Sequence, residues 1–572
     1  MDPGTGQPVP EALVTLWFDG GIDAGPRIMA DTQGRFVFVN APAGRYRIEG
    51  RRFGFVTGYH GQRTPNGSST PIDLADGQIF TDLVVPAWKS VAITGTVTDE
   101  AGQPVVGVRV TAFSRQIALG EVRLLPYDPF NITATTDDRG MYRLSNLPPG
   151  EYAVAVPTTL TTFPAEIMPA TLEMGPIRSQ ASFALRGTLT PPGDALNQQF
   201  GDAVLITGNG TLIPPASPGP EPAAVYRTTF APGTPLPAEA ATVAVDAGAE
   251  RTLNIAVRPA RAVRVSGRLI GPEGPITHIP VRLIPTGLGR MTTGSAPLEI
   301  ATATALTDGS GRFTFLGVPD GDYVVMMRTG ERENVVAASE PVTVGGADVI
   351  DQVVTARRGR RISGRVELRA GKAPENQLRG VGGAGLYARV EPLDSGRFSV
   401  VLWPLGPELR FASEVAPGRY VLTLQAPAGL WCTAAMRTGR DIADEILVVD
   451  ADDIDLTVIC GDAATRLSGK VRREDGTANS DAAIVAFPTD RSFWSGPTIR
   501  PRRLLEATTD KSGGFTLDNL PAGDYFVAAI PIARSELWRD SKFLDQLTRS
   551  ATRITLAQGE SRTIDLRTMQ VR

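Results

Sequence analysis

The sequence contains very little cysteine and histidine. Among 572 residues there are two cysteines, Cys432 and Cys460, and two histidines, His60 and His278. Protein sites for zinc, iron or copper are built from several cysteine or histidine ligands. Neither histidine lies in an H-E-x-x-H motif. We therefore expect no site for these metals and no cofactor.

Long apolar runs and a strong net charge are also missing. A membrane-spanning helix needs about 20 consecutive apolar residues, and no stretch of the sequence approaches that length. The net charge is −4, from 57 basic and 61 acidic residues. Such a balance provides no positive field to hold nucleic acid. The sequence thus predicts neither a transmembrane span nor a nucleic-acid partner.

Catalytic motifs are lacking as well. No G-x-S-x-G occurs, and two histidines are too few for a convincing Ser-His-Asp set. The serine and aspartate residues fit turns instead, because their side chains bond nearby backbone groups. We predict that the protein is not an enzyme.

One phrase, in contrast, is repeated throughout the chain. An acidic turn is followed by apolar alternation, then by Pro-x-Gly-x-Tyr or a close variant, and then by alternation again. Repeats of this kind have to be recognised before a fold is assigned. The five copies are DTQGRFVFVNAPAGRYRIEG from Asp31, TATTDDRGMYRLSNLPPGEYAVAV from Thr133, DGSGRFTFLGVPDGDYVVMM from Asp308, a looser DSGRFSVVL from Asp394 with VAPGRYVLTL from Val415, and DKSGGFTLDNLPAGDYFVAA from Asp510.

Each part of the phrase has a structural interpretation. The aspartate can bond its own backbone to start a turn, and the glycine after it tolerates a positive φ. The aromatic residue begins a strand whose side chains alternate between two faces. The tyrosine starts the next strand, where it can bury its ring and keep its hydroxyl bonded. The assigned positions are Gly34, Gly140, Gly311 and Gly514 for the glycine, Phe36, Tyr142, Phe313, Phe398 and Phe515 for the aromatic residue, and Tyr46, Tyr152, Tyr323, Tyr420 and Tyr525 for the tyrosine.

Two further segments accompany the phrase. A short strand with a central glycine precedes it, as in ITGTV from Ile93, VSGRL from Val265, ISGRV from Ile362 and LSGKV from Leu467, and a hairpin closes each unit. With about seven short strands and little helix, each unit is predicted to be an antiparallel β-sandwich. Because the joints are short, we expect an all-β, elongated string of five modules. Their predicted bounds are 1–88, 91–258 with an insertion at 157–225, 261–358, 361–462 and 465–572.

The first unit lacks its opening strand. Its stretch Gly6-Gln7-Pro8-Val9 aligns with Gly102-Gln103-Pro104-Val105 of the second unit, which places Met1 near the position of Val97. A sandwich without one strand has an unpaired edge and an open core. We expect the missing strand and a secretion signal to lie upstream of Met1. The alternative is a strand donated by another chain or by another part of this one.

Local signals in two other places predict short elements. In the insertion, VLITGNGTLIP from Val204 suggests a hairpin around Gly208-Asn209-Gly210. In the fifth unit, Asp540 is a candidate N-cap of a short helix. That helix would turn Phe543, Leu544 and Leu547 to one side.

With these residues assigned, the second unit closely resembles the carboxypeptidase regulatory-like domain. The resemblance rests on DEAGQPVVGVRVTAF from Asp99, TDDRGMYRL from Thr136 and LPPGEYAVAV from Leu147. This domain is a transthyretin-like, Ig-like β-sandwich related to Cna-B-type surface modules, and bacterial proteins that carry it in tandem are usually exported. The resemblance implies a periplasmic, cell-surface or extracellular location. It does not imply peptidase activity, because the separate zinc peptidase domain has no counterpart here.

Some Cna-B-type modules contain a bond between a first-strand lysine and a last-strand asparagine. Lys470 lies on the first strand of the fifth unit, but the last strand, within TIDLRTM, offers no asparagine. We therefore favour an outward-facing edge charge for Lys470.

Three groups of residues are candidate sites. Phe493 and Trp494, beside Arg500 and Arg502, could stack on a sugar or bind a chain end, although packing against the core explains these aromatics better. Four aspartates offer oxygen ligands for calcium, but they also fit the polar tip of a hairpin. Two cysteines in one module could form a disulfide or remain separate buried thiols. The aspartates are Asp450, Asp452, Asp453 and Asp455, and the cysteines are Cys432 and Cys460.

These observations favour a non-enzymatic, exported protein that acts at the cell envelope as a spacer, adhesin or binding scaffold. The alternative is a carbohydrate- or peptide-binding accessory protein of a secreted enzyme system. The partner expected from either hypothesis is a polysaccharide, a peptide or another envelope protein.

Overall fold

The computed structural model is an all-β protein with a short α-helix in its last module, which confirms the predicted fold class. It describes residues 1–569 except for 19–23, 66, 68, 119–120, 127–131, 167–195, 208–211, 216–222, 287–302, 331, 370–384, 394–398, 407, 428–429 and 495–501. The five repeated units fold in series as β-structured modules, numbered here 1 to 5 along the chain. In the described part, no helix is long and apolar enough to cross a membrane.

Modules 2 to 5 each contain two sheets, and the first strand of the module is the centre of one of them. We call this strand the opening strand. It pairs antiparallel with the strand of the aromatic residue and parallel with the last strand of the module. Most of the remaining strands form the second sheet, and in module 4 two further strands near its end extend the first sheet. The core lies between the two sheets.

Module 2 carries the insertion between its two halves. Its strands are β6 (Val91–Thr98), β7 (Arg109–Ala118), β8 (Glu121–Pro126), β9 (Thr133–Thr135), β10 (Met141–Leu147), β11 (Gly150–Val156), β12 (Leu160–Pro164), β13 (Leu196–Phe200), β14 (Ala203–Thr207), β15 (Ala224–Tyr226), β16 (Thr229–Phe230), β17 (Val243–Val245), β18 (Glu250–Thr252) and β19 (Ile255–Ala256), and β6 is the opening strand.

Modules 3 and 4 follow with opening strands β20 and β29. Module 3 contains β20 (Pro259–Gly271), β21 (Gly274–Pro275), β22 (Pro280–Pro285), β23 (Ala303–Leu306), β24 (Arg312–Pro319), β25 (Gly321–Thr329), β26 (Val336–Val344), β27 (Val349–Thr355) and β28 (Arg357–Arg358). Module 4 contains β29 (Arg360–Leu368), β30 (Tyr387–Pro392), β31 (Val400–Leu402), β32 (Arg410–Val415), β33 (Gly418–Gln425), β34 (Trp431–Arg437), β35 (Arg440–Asp441), β36 (Leu447–Val449) and β37 (Ile454–Gly461).

Module 5 has opening strand β38 and contains the α-helix α1. Asp540 caps α1 by accepting a hydrogen bond from the Lys542 amide, and Phe543, Leu544 and Leu547 are buried, as predicted. Its elements are β38 (Arg466–Arg472), β39 (Ala482–Pro488), β40 (Leu505–Thr508), β41 (Gly514–Asp518), β42 (Gly523–Pro531), α1 (Ser541–Leu547), β43 (Thr552–Leu556), β44 (Ser561–Thr563) and β45 (Leu566–Arg567).

The central glycine of each opening strand lies opposite the aromatic residue of the repeated phrase. A Cβ atom on Gly95 would lie 1.9 Å from the Leu253 carbonyl oxygen, and one on Gly469 would lie 1.6 Å from that of Ile564. Glycine is needed because two backbones and an aromatic ring meet there. The cross-strand pairs are Gly95 with Tyr142, Gly267 with Phe313, Gly364 with Phe411 and Gly469 with Phe515.

The structure corrects two assignments made from the sequence, one in module 4 and one in module 5. In module 4 the aromatic residue opposite the glycine is Phe411, whereas the predicted Phe398 lies outside the described residues. In module 5 the turn glycine with positive φ is Gly513, with φ at 76°, and Gly514 is instead the first residue of β41. In both places the chain contains a second residue of the same type before or after the true position.

The repeated tyrosine is buried in all five modules, as the phrase predicts. Each hydroxyl donates to the carbonyl oxygen four residues upstream, at 2.7 or 2.8 Å. This contact ties the turn before the strand to the strand itself, in the manner of the tyrosine corner of Ig-like sandwiches. The exposed fractions are 1% for Tyr46, Tyr152 and Tyr420, 4% for Tyr323 and 0% for Tyr525.

The described residues of module 1 form one five-stranded sheet and include no opening strand. The segments that would flank such a strand, 35–40 and 78–86, are fully described and contain no strand. The backbone of Met1 is hydrogen-bonded to Val85 and Ala87. In module 2, the backbone of Thr98 is paired with the last strand of the module in the same way. Met1 thus aligns with Thr98, one residue beyond the predicted Val97. The strands are β1 (Leu13–Phe18), β2 (Ala24–Met29), β3 (Gly44–Arg51), β4 (Gly58–Tyr59) and β5 (Ile72–Leu74).

The insertion of module 2 joins the sheet of module 3. Strand β12 pairs in parallel with β23, and β14 and β13 extend the same sheet to eight strands. The hairpin here is β13–β14, with its turn at Gly201 and Asp202. The hairpin predicted around Gly208-Asn209-Gly210 has its turn outside the described residues, and β14 ends at Thr207. Modules 2 and 3 therefore share a sheet as well as a linker.

The series of modules is not straight. Arg63 of module 1 donates a hydrogen bond of 3.2 Å to the Thr509 carbonyl of module 5. Strand β7 of module 2 contacts the 3-10 helix Ile532–Arg539 of module 5. The sequence predicted an elongated string with restricted joints, whereas these contacts bring its last module back against the first two.

The tyrosine contact gives a direct test of module stability. Tyr152→Phe should destabilise module 2 by about 1 kcal/mol, because it removes one hydrogen bond. Tyr152→Ala should cost about 3 kcal/mol or more, because it also leaves a cavity. Pulse proteolysis in urea, read from fragments cut inside residues 91–156, measures both changes. Fragments from module 3, with its own Tyr323, are the internal control, and equal effects of the two substitutions would contradict this account.

Candidate functional site

The joint between modules 4 and 5 is built around Arg502. Its guanidinium bonds both carboxylate oxygens of Asp444, at 2.7 and 2.9 Å, and reaches Asp441 at 3.1 Å. It also donates to the carbonyl oxygen of Thr433. A planar guanidinium matches a carboxylate in this two-pronged way, and the partly buried site screens the pair less than water would. Arg502 thus fixes module 5 against module 4.

Arg503 extends the same cluster into module 5. It donates to Asp444 at 2.6 Å and to the Ala522 carbonyl at 3.0 Å, and its other contact is the Tyr525 hydroxyl at 3.5 Å. Tyr525 is the repeated tyrosine of this module. The joint is therefore connected directly to the turn that the tyrosine holds.

The charges at this joint determine the pKa of Asp444. Burial alone would raise that pKa, but the hydrogen bonds and positive charges of Arg502 and Arg503 outweigh it. The pKa of Asp444 is accordingly held below the usual range of an aspartate. The same pairing raises the pKa of Arg503 against the opposing effect of burial. Both groups are charged at neutral pH, as a stable ion pair requires.

Three of the residues proposed for sugar binding, Trp494, Phe493 and Arg502, make contacts within the protein. Trp494 is 5% exposed, donates its ring N–H to the Pro488 carbonyl at 2.7 Å and packs edge-on against Phe487. The Arg491 guanidinium lies 5.3 Å from the centre of the same ring, and these contacts favour a packing role for Trp494. Phe493 is half-buried, with the Arg503 guanidinium 5.3 Å from its ring centre. Arg500 lies outside the described residues.

Cys432 and Cys460 form a disulfide between neighbouring strands β34 and β37. Their Cα atoms are 3.9 Å apart, inside the limit of about 7 Å for bridging. Residue Thr433, whose carbonyl Arg502 binds, directly follows Cys432. The disulfide thus braces the surface of module 4 on which module 5 rests.

Three of the four candidate calcium aspartates make contacts within module 4. Asp453 accepts from the Arg361 amide at 2.9 Å, and the Asp450 carbonyl accepts from the Arg360 side chain at 3.0 Å. Asp455 lies 3.5 Å from the Ser363 hydroxyl. These contacts connect the closing hairpin to the opening strand of module 4. No group of three or more His, Cys, Asp or Glu side chains placed to hold a metal occurs within the described ranges.

The joint between modules 3 and 4 is made by Glu414. Its carboxylate accepts from the Val335 amide at 2.7 Å, and its own amide donates to the Arg332 carbonyl at 2.7 Å. The linker strand β28 pairs with β26 of module 3. The cleft at this joint has a volume of about 230 Å³, below the roughly 300 Å³ at which ligand pockets begin. The cleft is therefore a gap in the contact between two modules.

An aromatic pair on module 4 was missed by the sequence reasoning. Tyr387 lies on β30 and Trp403 directly follows β31; both are half-buried, and their ring centres are 4.8 Å apart. The Arg389 guanidinium lies 5.7 Å from the centre of the Tyr387 ring. Ala388 and Val390 are buried. Because side chains alternate between the two faces of a strand, this apolar pattern was the signal that could have placed Tyr387 on the outer face.

The fold and the joints define a class: a multi-module β-sandwich protein with bonded module joints. Residues 92–176 match the family model of the carboxypeptidase regulatory-like domain, which confirms the resemblance for module 2. No curated protein matches the chain.

Solved structures of bacterial surface proteins are among those similar to the chain. A streptococcal ancillary pilin is 11% identical, with 54% of this chain and 99% of that chain covered and a TM-score of 0.18. The major pilin subunit BcpA of Bacillus cereus is 10% identical, with 84% and 98% covered and a TM-score of 0.15. A putative carbohydrate binding protein from Pseudomonas aeruginosa is 18% identical, with 16% and 88% covered and a TM-score of 0.13. TM-scores this low carry no argument about function.

The ion pairs at the 4–5 joint predict a dependence on pH. Because the folded pKa of Asp444 is depressed, its contribution is complete above the unfolded value of about 3.9 and is lost as pH falls through the folded pKa. X-ray scattering of the full chain should show the joint loosening only in that acidic range. In the Asp444→Asn variant the joint should already be loose at pH 7, and the scattering should show no further change in the acidic range.

The matched control for the joint is Arg491→Ala. Arg491 pairs with Asp545 inside module 5, and both side chains are largely exposed. Its loss should leave the scattering curve at pH 7 unchanged, because an exposed pair contributes little. Identical curves for the wild type and Asp444→Asn at pH 7 would contradict the role given to this cluster.

Proposed function

We propose that the protein is an exported, non-enzymatic spacer or scaffold of the cell envelope, made stiff by bonded joints between its modules. The observation that carries the proposal is the cluster of Arg502, Arg503 and Asp444, which locks modules 4 and 5 together. A chain whose modules hold fixed angles can set a distance or present a surface. Free linkers between modules could not do this.

Two further observations support the proposal. Glu414 bonds module 4 to the backbone of module 3, and the insertion of module 2 extends the sheet of module 3. The Cys432–Cys460 disulfide supports an oxidising location, because disulfides persist mainly outside the cytoplasm. The partner that fits this role is another envelope protein.

Location and thiol state test the proposal in the cells that make the protein. Surface proteolysis and fractionation should recover it from the envelope or medium, and alkylation with mass spectrometry should find Cys432 and Cys460 unmodified until reduction. Recovery from the cytoplasm with both cysteines alkylated directly would refute it.

A second candidate function is carbohydrate or peptide binding as an accessory to a secreted enzyme. The half-buried pair of Tyr387 and Trp403 favours it, because adjacent aromatic rings on an outer sheet face can stack on a ligand. Glycan and peptide arrays probed with the full chain test it. Saturable binding that Trp403→Ala abolishes and Phe493→Ala retains would decide for this function, and no binding to either array would decide against it.

A further inference from the structure

The groups of module 4 that hold Arg502 all lie in one short segment. We call residues 431–445 the joint hairpin; it contains β34, β35 and the residues directly after them. The Arg502 side chain bonds three of its groups. These are the Thr433 carbonyl and the carboxylates of Asp441 and Asp444. The position of the joint hairpin on module 4 therefore decides whether modules 4 and 5 are locked together.

The joint hairpin is attached to module 4 by little apolar packing. Of the seven described residues of β34, Ala435 alone is buried. The neighbouring strand β37, in contrast, buries five of its eight described residues. Burial of apolar side chains is the main force that holds a strand in place. Strand β34 therefore depends on its backbone pairing with β37 and on the bond between Cys432 and Cys460.

A β-bulge interrupts the pairing of β34 with β37 at Thr433. Cys432 lies opposite Cys460, whereas Ala434, two residues further along, lies opposite the very next residue of β37. Thr433 is thus the extra residue, and such a residue is left out of the regular ladder. Its carbonyl accepts a hydrogen bond from Arg502 instead. The bulge therefore places this carbonyl where module 5 can bind it.

The disulfide fixes the bulge in this position. It ties together the cross-strand pair directly before Thr433. The register of a strand is specified mainly by its buried face, and β34 buries only Ala435 among its described residues. Without the bond, β34 can shift by one residue against β37 and lose the bulge. Such a shift turns the Thr433 carbonyl away from Arg502.

We propose that formation of the Cys432–Cys460 disulfide locks the joint between modules 4 and 5, and that the joint is open while both cysteines are thiols. The inference rests on the proposed export of the protein, because the lock then closes only after the chain reaches an oxidising compartment. The protein becomes stiff at this joint in the place where its stiffness is used.

The oxidant required is a disulfide, carried by a thiol–disulfide exchange protein in the cell and by glutathione disulfide in a purified system. Cys432 is half-buried and Cys460 is fully buried, so the donor reaches Cys432. The thiolate of Cys432 attacks one donor sulfur, and the other donor sulfur leaves as a thiolate. The thiolate of Cys460 then attacks the Cys432 sulfur and releases the second donor sulfur. Two electrons pass from the cysteine pair to the donor, and the protons lost by the cysteines are balanced by those that the donor thiolates take up.

Trypsin cleavage after Arg502 and Arg503 measures whether the joint is open. In the locked joint both guanidinium groups bind Asp444, and the two side chains are 19% and 20% exposed. Trypsin has to take up the arginine side chain after which it cleaves. It therefore acts at these residues when the joint opens, and the rate follows the population of the open form.

The purified full chain is compared in three states. These are the disulfide form, the thiol form made with a phosphine that is then removed under argon, and the protein reoxidised with glutathione disulfide. Cleavage after Arg502 and Arg503, read by mass spectrometry, should be faster in the thiol form by about tenfold or more. It should be slow again after reoxidation. Equal rates in the disulfide and thiol forms would overturn the inference.

Two controls separate opening of the joint from other effects. The Cys432→Ala/Cys460→Ala variant should be cleaved quickly in all three treatments, because it cannot form the bond. Cleavage after Arg365, in the opening strand β29, requires unfolding of module 4 and should stay slow throughout. A matching rise after Arg365 in the thiol form would overturn the inference, because the disulfide would then hold the whole module.

The Asp444→Asn variant with its disulfide intact separates this inference from the proposed function. The variant lacks the ion pairs of the joint, so cleavage after Arg502 should be fast even in the disulfide form. Fast cleavage of this variant together with slow cleavage of the reduced wild type would overturn the inference and leave the proposed locked joint standing. Slow cleavage of both would overturn the locked joint, and the inference with it.

Discussion

Each complete module depends on the close approach of one glycine to two neighbouring strands. The opening strand lies between an antiparallel and a parallel partner, and its glycine allows a backbone carbonyl and an aromatic ring to meet over it. A side chain there would push the last strand of the module away. Because the first strand of the module pairs with its last strand, this contact closes the whole module.

The joints use polar contacts where the modules use apolar ones. Arg502 and Arg503 are mostly buried, so their pairing with Asp444 is screened less than a surface ion pair would be. Arg503 also reaches the repeated tyrosine of module 5, and the disulfide lies next to the carbonyl that Arg502 binds. The contacts that hold modules 4 and 5 together are therefore connected both to the tyrosine of module 5 and to the disulfide of module 4.

Local signals in the sequence predicted the modules well. The tyrosines and the Asp540 cap follow from short-range rules, and the structure has both. Phe411 was missed because Phe398 follows the sequence Asp-Ser-Gly-Arg, which resembles the acidic start of the repeated phrase. The constant spacing of ten residues from the aromatic residue to the tyrosine in the other copies would have excluded Phe398. The role of Arg502 was not accessible, since its partner Asp444 is 58 residues away and in another module. Contacts between modules have no periodic pattern to reveal them.

Hydrogen exchange of the full chain, read by mass spectrometry, tests the central role of the opening strand most directly. The account predicts strong protection of residues 141–147, 312–319 and 514–518, which pair with opening strands. It predicts rapid exchange of the equivalent residues 35–40 of module 1 in the same sample, because these described residues form no strand. Equal protection of residues 35–40 and 141–147 in that sample would contradict it.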